Sequence, residues 1–253
     1  AMAAAAVTSA HAVQGTLIKR DGTKMTGDIK WYSSQREYGI QVGRARTRIP
    51  AHQVSRVSVP RPRVLNKAEK LIKAGRHSEA VRDLRNVLKD YKGLIWDAEA
   101  AGLLSEAYLA QNRYKDAIEM CEEVMRSSPG SVRSMRLART YWTALEKDGQ
   151  TAKLNNVLGD AVKNGSREVA AVAQIKRADL DRGKGKLKEA LREGYLRTVI
   201  LYRDVREIQP EALYKASECF RQLGQQSYAE KMRTRLLQVY PKSEEARKVR
   251  AGT

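Results

Sequence analysis

Histidine and cysteine are the side chains best suited to catalysis or metal binding, and the sequence contains few of them. Its three histidines are His11, His52 and His77, and its two cysteines are Cys121 and Cys219. None of the histidines has a Cys, Asp or Glu at metal-ligand spacing, and no nucleophile, phosphate-loop or zinc-protease motif occurs. Catalysis needs converging groups with tuned proton affinities. The sequence therefore predicts a protein that is not an enzyme, with no cofactor, no metal site and no small-molecule substrate.

The cysteines are predicted to be small buried apolar residues. Cys121 and Cys219 lie in elements that are three repeats apart, and a disulfide needs Cα atoms within about 7 Å of each other. We therefore expect both thiols to be free.

Three alternating arginines form the clearest candidate for binding a polyanion. In a strand, Arg44, Arg46 and Arg48 would share one face. The aromatic residues nearby in sequence are Trp31, Tyr32 and Tyr38. One interpretation is a cationic surface with stacking rings that binds nucleic acid, lipopolysaccharide or glycan. The other is a solvated outer face whose aromatic rings pack inside the domain or against the first helix.

These arginines belong to a segment, residues 13–60, that reads as short β-strands. Its β-rich runs are partly alternating, and turn signals separate them at Asp21-Gly22, Gly43 and Pro50. Five short strands in so few residues predict a small SH3-like or Sm-like barrel. Residues 61–63 then form a linker, stiffened by neighbouring prolines.

The charge of the chain is strongly positive. It contains 48 Lys and Arg against 29 Asp and Glu, a formal net charge of +19. Such a surface attracts polyanions at low salt, and nucleic-acid binding based on charge alone weakens steeply as salt rises. No apolar run approaches the length of about 18 residues that a membrane-spanning helix requires.

One pattern recurs along the rest of the chain. Ala80, Ala117, Ala190 and Ala229 each follow a short polar helix break and open an apolar helical stretch. Their spacings are 37, 73 and 39 residues, and the second is close to two periods. A period of this size is typical of a solenoid of helix pairs, in which each repeat buries its apolar face against a neighbour.

The best copy of the pattern runs from Trp96 to Pro129 and resembles the tetratricopeptide repeat (TPR), a helix-turn-helix of about 34 residues. Two positions depart from the family pattern, because Ser105 follows the leucine and Ala101 stands at the tryptophan position. The residues that match the pattern are Leu104, Tyr108, Tyr114, Ala117, Val124 and Pro129.

Further copies start near residues 64, 135, 171 and 213, so the resemblance covers roughly residues 64 to 245. The third copy is degenerate, with Gln150 at the position expected for the alanine. Gly183 and Gly185, which precede a helix, are interpreted as a turn between paired helices and not as a phosphate loop. The predicted fold class is therefore mainly α: an α-solenoid of about five TPR-like helix pairs, preceded by a small five-stranded β domain.

The resemblance implies a binding groove lined by the first helix of each pair. Its central positions would be Glu69, Glu106, Arg139, Asp179 and Glu218, so the paired Lys and Asn of carboxylate-clamp relatives are absent. An apolar floor with acidic side chains suits a protein or peptide partner with apolar and basic residues. We expect Trp142 to contribute most, because tryptophan is enriched among binding hot spots. The alternative is that these side chains pack neighbouring repeats or the β domain. The predicted partner-binding residues are Leu109, Met135, Arg139, Trp142, Ile175, Asp179, Tyr214 and Glu218.

The N-terminal residues 1–12 are small and uncharged, and Ala10-His11-Ala12 is similar to a signal-peptidase site. The segment is predicted to be a leader remnant or a disordered N-terminus. The run EALREGYLRTVILY is similar to TPR members of the bacterial cell envelope. We therefore expect an exported scaffold of the bacterial periplasm or cell envelope, with a cytoplasmic location as the alternative. The predicted domains are residues 13–60 and residues 64–253, joined by the linker.

Overall fold

The computed structural model describes residues 12–128 and 131–252. The chain forms two compact units, residues 1–150 and residues 151–253. The proposed signal-peptidase site at Ala10-His11-Ala12 falls mostly outside the described residues, as does Pro129 of the second repeat. Within the described part of the chain, no helix has both the length and the apolar character needed to cross a membrane.

The first unit begins with a five-stranded antiparallel sheet, which confirms the β domain predicted from the sequence. The strand order is β4-β3-β2-β1-β5, and a single 3-10 turn, Ala51–Gln53, connects β4 to β5. The strands are β1 Val13–Lys19, β2 Lys24–Tyr32, β3 Glu37–Val42, β4 Ala45–Pro50 and β5 Val54–Ser58.

The inner face of the sheet packs against the repeats of the same unit. Leu94, from the loop between the second and third helices, is buried among the residues of the sheet core. The Trp31 indole N–H donates to the Ser127 carbonyl at 2.9 Å, and the Tyr38 hydroxyl donates to the Gly93 carbonyl at 3.2 Å. The side chains buried with Leu94 are Leu17, Ile29, Trp31, Tyr38, Ile40, Ile49, Val57 and Val59.

Five α-helices and one 3-10 turn, Ser131–Arg133, follow the sheet among the described residues of the first unit. Pro62 precedes α1, a position where its missing N–H costs nothing. The Ser134 hydroxyl accepts a hydrogen bond from the backbone N–H of Leu137 and so caps the start of α5. The helices are α1 Arg63–Lys73, α2 His77–Asp90, α3 Trp96–Ala110, α4 Tyr114–Ser127 and α5 Met135–Lys147.

Among its described residues, the second unit contains helices joined by turns and no strand. One of its helices is composite, because the π-helical turn Ala190–Tyr195 joins α8 to α9. Inside that turn Gly194 lies so close to Ala178 that a Cβ there would be 2.2 Å from the Ala178 Cβ. The α-helices are α6 Thr151–Asn164, α7 Arg167–Gly183, α8 Leu187–Glu189, α9 Leu196–Leu201, α10 Gln209–Gln222, α11 Gln226–Val239 and α12 Glu244–Arg250.

The same turn joins the two helices of all five copies. Each turn contains a residue with positive φ, and the residue after it donates its N–H to a carbonyl five positions earlier, as in a Schellman motif. The positive-φ residues are Gly75 (74°), Asn112 (57°), Gly149 (75°), Gly185 (75°) and Gly224 (72°). Ala80, Ala117, Ala190 and Ala229 lie five residues after theirs and are at most 1% exposed, which confirms the predicted helix contacts.

This register corrects the third copy. Five residues after Gly149 comes Leu154, which is 1% exposed, so Leu154 and not Gln150 occupies the alanine position. The turn of the third copy therefore follows the common pattern, although its two helices fall in different compact units. The positive-φ residues of the five turns are therefore more evenly spaced along the sequence than the four alanines.

Candidate functional site

The first helices of the first unit share a face built around Arg136. Helices α1, α3 and α5 pack in that order, and the Arg136 guanidinium of α5 lies 3.0 Å from carboxylate oxygens on both of the others. Its partners are Glu69 on α1 and Glu99 and Glu106 on α3. We call the surface formed by these four residues the first-helix face. It is half-buried, and charge-assisted bonds of this kind fix side-chain positions.

Arg61 extends the first-helix face towards the sheet. Its Nη2 lies 3.1 Å from Glu69 Oε1 and 3.8 Å from Glu99 Oε1. Its guanidinium also lies 5.2 Å from the centre of the Trp96 ring. Burial raises the pKa of Glu106, and the charge of Arg136 opposes that rise. The predicted acidic positions Glu69 and Glu106 are therefore largely neutralised by arginines, which the sequence analysis did not single out.

The predicted partner-binding residues of the first unit fall into two groups. Leu109 and Met135 are half-buried and Arg139 is exposed, so all three are reachable. Trp142 is only 4% exposed, which contradicts its assignment as an accessible anchor. Trp142 lies seven residues before Gly149. The residues seven positions before Gly75 and Asn112 are Ala68 and Ser105, which are both small and buried. This offset was visible in the sequence and would have placed Trp142 in the interior.

In the second unit, Asp179 is part of a partly buried hydrogen-bond network. The Tyr195 hydroxyl donates to Asp179 Oδ1 at 2.8 Å, and Lys215 Nζ donates to Asp179 Oδ2 at 2.7 Å. Lys215 also binds Glu211 at 2.7 Å. Burial raises the pKa of Tyr195, and the neighbouring Asp179 charge raises it further. Asp179 therefore stabilises the helix pair, and its charge is offset by Lys215.

The other three predicted residues of the second unit differ in accessibility. Ile175 is 2% exposed and belongs to the hydrophobic core, so it is corrected to an interior residue. Tyr214 is half-buried. Glu218 is half-buried and lies 2.7 Å from Arg221. Tyr214 and Glu218 remain candidates for contact with a partner.

The sheet separates the predicted arginines from two of the predicted aromatic rings. Arg44, Arg46 and Arg48 are exposed, whereas Trp31 and Tyr38 are buried in the sheet core. Arg46 and Arg48 lie on β4 with Tyr32 as their aromatic neighbour, because the Arg48 guanidinium is 4.3 Å from the Tyr32 ring centre. Arg46 donates to the Gln41 side-chain oxygen at 2.8 Å, and Arg48 lies 3.9 Å from Glu37. Of the three rings, Tyr32 therefore lies beside the arginines, and Trp31 and Tyr38 stabilise the core.

The residues first considered for chemistry are dispersed in the structure. Cys121 and Cys219 are free and buried, and burial raises the pKa of the Cys121 thiol to about 11. His52 is exposed, and His77 lies at the start of α2. Among the described residues, no three or more His, Cys, Asp or Glu side chains are grouped as a metal site.

Comparison with known families defines the class of the protein. Residues 71–141 and residues 211–243 each match a family model described as tetratricopeptide repeat. These matches and the recurring turn between paired helices identify tetratricopeptide repeats in both units of the chain. No curated protein sequence matches the chain.

Solved structures show the same fold at low sequence identity. The nearly identical TPR-like repeats of a putative kinesin light chain from Podosopora anserina are 16% identical, with a TM-score of 0.51. That match covers 72% of this chain and 95% of the other. The C-terminal part of a TPR repeat-containing protein from Cytophaga hutchinsonii is also 16% identical with a TM-score of 0.51, covering 70% of this chain and 65% of the other. At this identity the likeness concerns the fold alone.

Proposed function

We propose that the protein is a non-catalytic scaffold that binds a partner protein or peptide on the inner surface of its first helices. The observation that carries this proposal is the contact of Arg136 with glutamates on both α1 and α3. The contact fixes three first helices, α1, α3 and α5, into one surface before any partner arrives. A preformed surface lowers the entropic cost of binding.

Leu109, Met135 and Arg139 are the proposed contact residues of the first unit. Leu109 and Met135 are half-buried apolar side chains, and covering them with a partner removes apolar surface from water, which favours binding. Arg139 is exposed and influences which partner binds and how fast. In the second unit, Tyr214 and Glu218 are the proposed counterparts.

The test is a crosslinking pull-down from native cells with the wild-type chain and an Arg139→Glu variant. A matched control is Arg126→Glu, which reverses an exposed arginine on the second helix α4. We expect the Arg139 variant to lose specific partners that the Arg126 variant retains. If all three proteins capture the same partners, the proposed binding surface is wrong.

The proposed location is the bacterial cell envelope, which rests on the sequence pattern near Ala10-His11-Ala12 and on the likeness of residues 189–202 to envelope TPR proteins. Fractionation of bacteria that express the native chain tests it. The expected result is protein in the periplasmic fraction, and a wholly cytoplasmic signal would reject the proposal.

A second candidate function is polyanion binding by the outer face of the sheet. It is supported by the exposure of Arg44, Arg46 and Arg48 and by the position of Arg48 over the Tyr32 ring. Replacing all three arginines by alanine should abolish binding of single-stranded oligodeoxythymidine and of lipopolysaccharide. Binding should also weaken steeply with salt. Unchanged affinity in the triple variant would remove this candidate.

A further inference from the structure

Strand β5 has one open side. It pairs with β1 through residues 54–58, and no other strand pairs with it among the residues that the structure describes. Backbone N–H and C=O groups of an antiparallel strand point alternately to its two sides. An open side therefore presents donors and acceptors to which another strand can add.

A cavity of about 680 Å³ borders this open side. Every residue from Val54 to Val59 lines it. Since successive side chains of a strand point to opposite faces, a cavity that touches all of them lies along the edge of the strand. Its volume is within the range of about 300–1,000 Å³ that is typical of ligand sites.

Two apolar residues where the loop meets α3, Ile95 and Trp96, also line the cavity. Ile95 has a φ of 76° and a ψ of −50°, and the Trp96 N–H donates to the Leu94 carbonyl at 2.9 Å. These are the features of a classic γ-turn, which is rare and strained, above all for a β-branched residue. The turn leaves Ile95 45% exposed beside the cavity, while the Trp96 indole is fixed by a 3.0 Å bond to the Val59 carbonyl.

The charge around the cavity has one sign. Arg20, Arg56 and Arg133 line it, and its lining includes no Asp or Glu from the described part of the chain. Arg20 donates to the His52 carbonyl at 2.7 Å, which uses one of its N–H groups. Arg56 and Arg133 are exposed and form no salt bridge with any described residue. The cavity is therefore complementary to an anionic ligand.

We propose that the cavity binds an extended, acidic peptide segment of a partner protein, which adds to β5 as a further strand. Main-chain hydrogen bonds to β5 would hold the peptide, an apolar side chain would contact Ile95 and Trp96, and carboxylates would face the three arginines. Nucleic acid satisfies the arginines but offers neither a strand backbone nor an aliphatic side chain for Ile95. This site is distinct from the first-helix face and does not depend on the function proposed above.

The experiment uses the full chain and a short fluorescein-labelled peptide of alternating Val and Glu, with binding followed by fluorescence anisotropy. The double variant Arg56→Glu/Arg133→Glu should bind the peptide about tenfold more weakly, because two attractive charges beside the peptide become repulsive. The charge-matched control is Lys115→Glu/Arg126→Glu, two exposed cations of α4 that do not line the cavity, and it should retain binding. Equal losses in the two variants would show general charge attraction and overturn the proposal.

Two modified peptides test strand addition. One is N-methylated on every Val and the other on every Glu, so each lacks the N–H donors along one edge of the peptide. One of them should lose binding and the other should keep it. Binding of both, or tighter binding of oligodeoxythymidine than of the unmodified peptide, would overturn the proposal. If light scattering shows that the chain dimerises through β5 and that the dimer excludes the peptide, the proposal is also overturned.

Discussion

Arg136 and Glu69 are 67 positions apart in the sequence, yet Arg136 Nη2 lies 3.0 Å from Glu69 Oε1. The bond joins α5 to α1 across α3, whose Glu99 and Glu106 bind the same guanidinium. One cation therefore holds three carboxylates that would otherwise repel one another. The alignment of the first helices, on which partner binding is proposed to depend, rests partly on this arginine.

We expect Arg136→Ala to destabilise the first unit by about 1–3 kcal/mol at neutral pH, because it leaves three adjacent carboxylates without their shared partner. Burial already raises the pKa of Glu106, and losing Arg136 should raise it further. A carboxyl whose folded pKa is raised favours the folded state as pH falls. The stability lost on replacing Arg136 should therefore be smaller at about pH 4.5 than at neutral pH.

Urea unfolding followed by tryptophan fluorescence measures this loss in the first unit alone. All three tryptophans, Trp31, Trp96 and Trp142, lie within residues 1–150. The matched control is Arg139→Ala, which removes an exposed arginine from the same helix and should change stability by less than about 0.5 kcal/mol. A loss that is equal at both pH values would contradict the carboxylate explanation.

Much of the fold was predictable from the sequence, because it depends on local patterns. The five strands follow alternating residues and turns, and the buried alanines follow the helical period. The first-helix face was not predictable, since Arg136 meets Glu69 only after three helices have packed. The interior position of Trp142 was predictable in principle from its offset to Gly149, but the alanine pattern obscured that register. The cavity beside β5 depends on the γ-turn at Ile95, for which an isoleucine gives no sequence signal.

Asp97 should make the first unit respond to pH. It is 2% exposed and accepts hydrogen bonds from the Gly93 N–H at 2.6 Å, from the Ala98 N–H at 2.8 Å and from the Ser128 hydroxyl. Burial raises its pKa above the ordinary 3.8, and the Ser128 bond opposes that rise. The free energy of unfolding should therefore decrease as pH rises from 3.8 through the folded pKa of Asp97.

Two substitutions separate the contribution of Asp97 from that of other groups. Asp97→Asn should remove this pH-dependent component, and Ser128→Ala should move it to higher pH by removing the opposing hydrogen bond. Urea titrations between about pH 3.5 and pH 7, read by tryptophan fluorescence, give the slopes. If the wild type and Asp97→Asn have parallel profiles, the Asp97 carboxyl is not the titrating group.

Gly183 and Gly185 should respond in opposite directions to alanine. Neither would place a new Cβ within 4 Å of another group, so only backbone conformation distinguishes them. Gly185 has a φ of 75°, and Gly185→Ala should cost about 1 kcal/mol. Gly183 ends α7 without a positive φ, and Gly183→Ala should be neutral or stabilising by about 0.5 kcal/mol.

Thermal unfolding by far-UV circular dichroism measures both variants. The tryptophan transition, which reports only the first unit, should stay unchanged and serves as the internal control. An unaffected Gly185 variant would mean that the turn tolerates an L side chain. A destabilised Gly183 variant would mean that backbone conformation is not what distinguishes the two positions.

Among the glycines of the second unit, Gly194 should tolerate substitution least, because a side chain there would clash with Ala178. An added Cβ would lie 2.2 Å from the Ala178 Cβ, and the contact joins the π-helical turn to α7. Gly194→Ala should therefore destabilise the second unit by about 1–3 kcal/mol. Gly159→Ala in α6 is the matched control, since a Cβ there meets nothing within 4 Å and alanine favours a helix.

The double variant Gly194→Ala/Ala178→Gly distinguishes a clash from a backbone requirement. It restores the space by moving the methyl group from one helix to the other, so it should recover most of the lost stability apart from about 1 kcal/mol for a glycine within α7. If the double variant is instead as unstable as the sum of the two single changes, contact with Ala178 is not what excludes a side chain at position 194. The π-helical backbone itself would then require glycine.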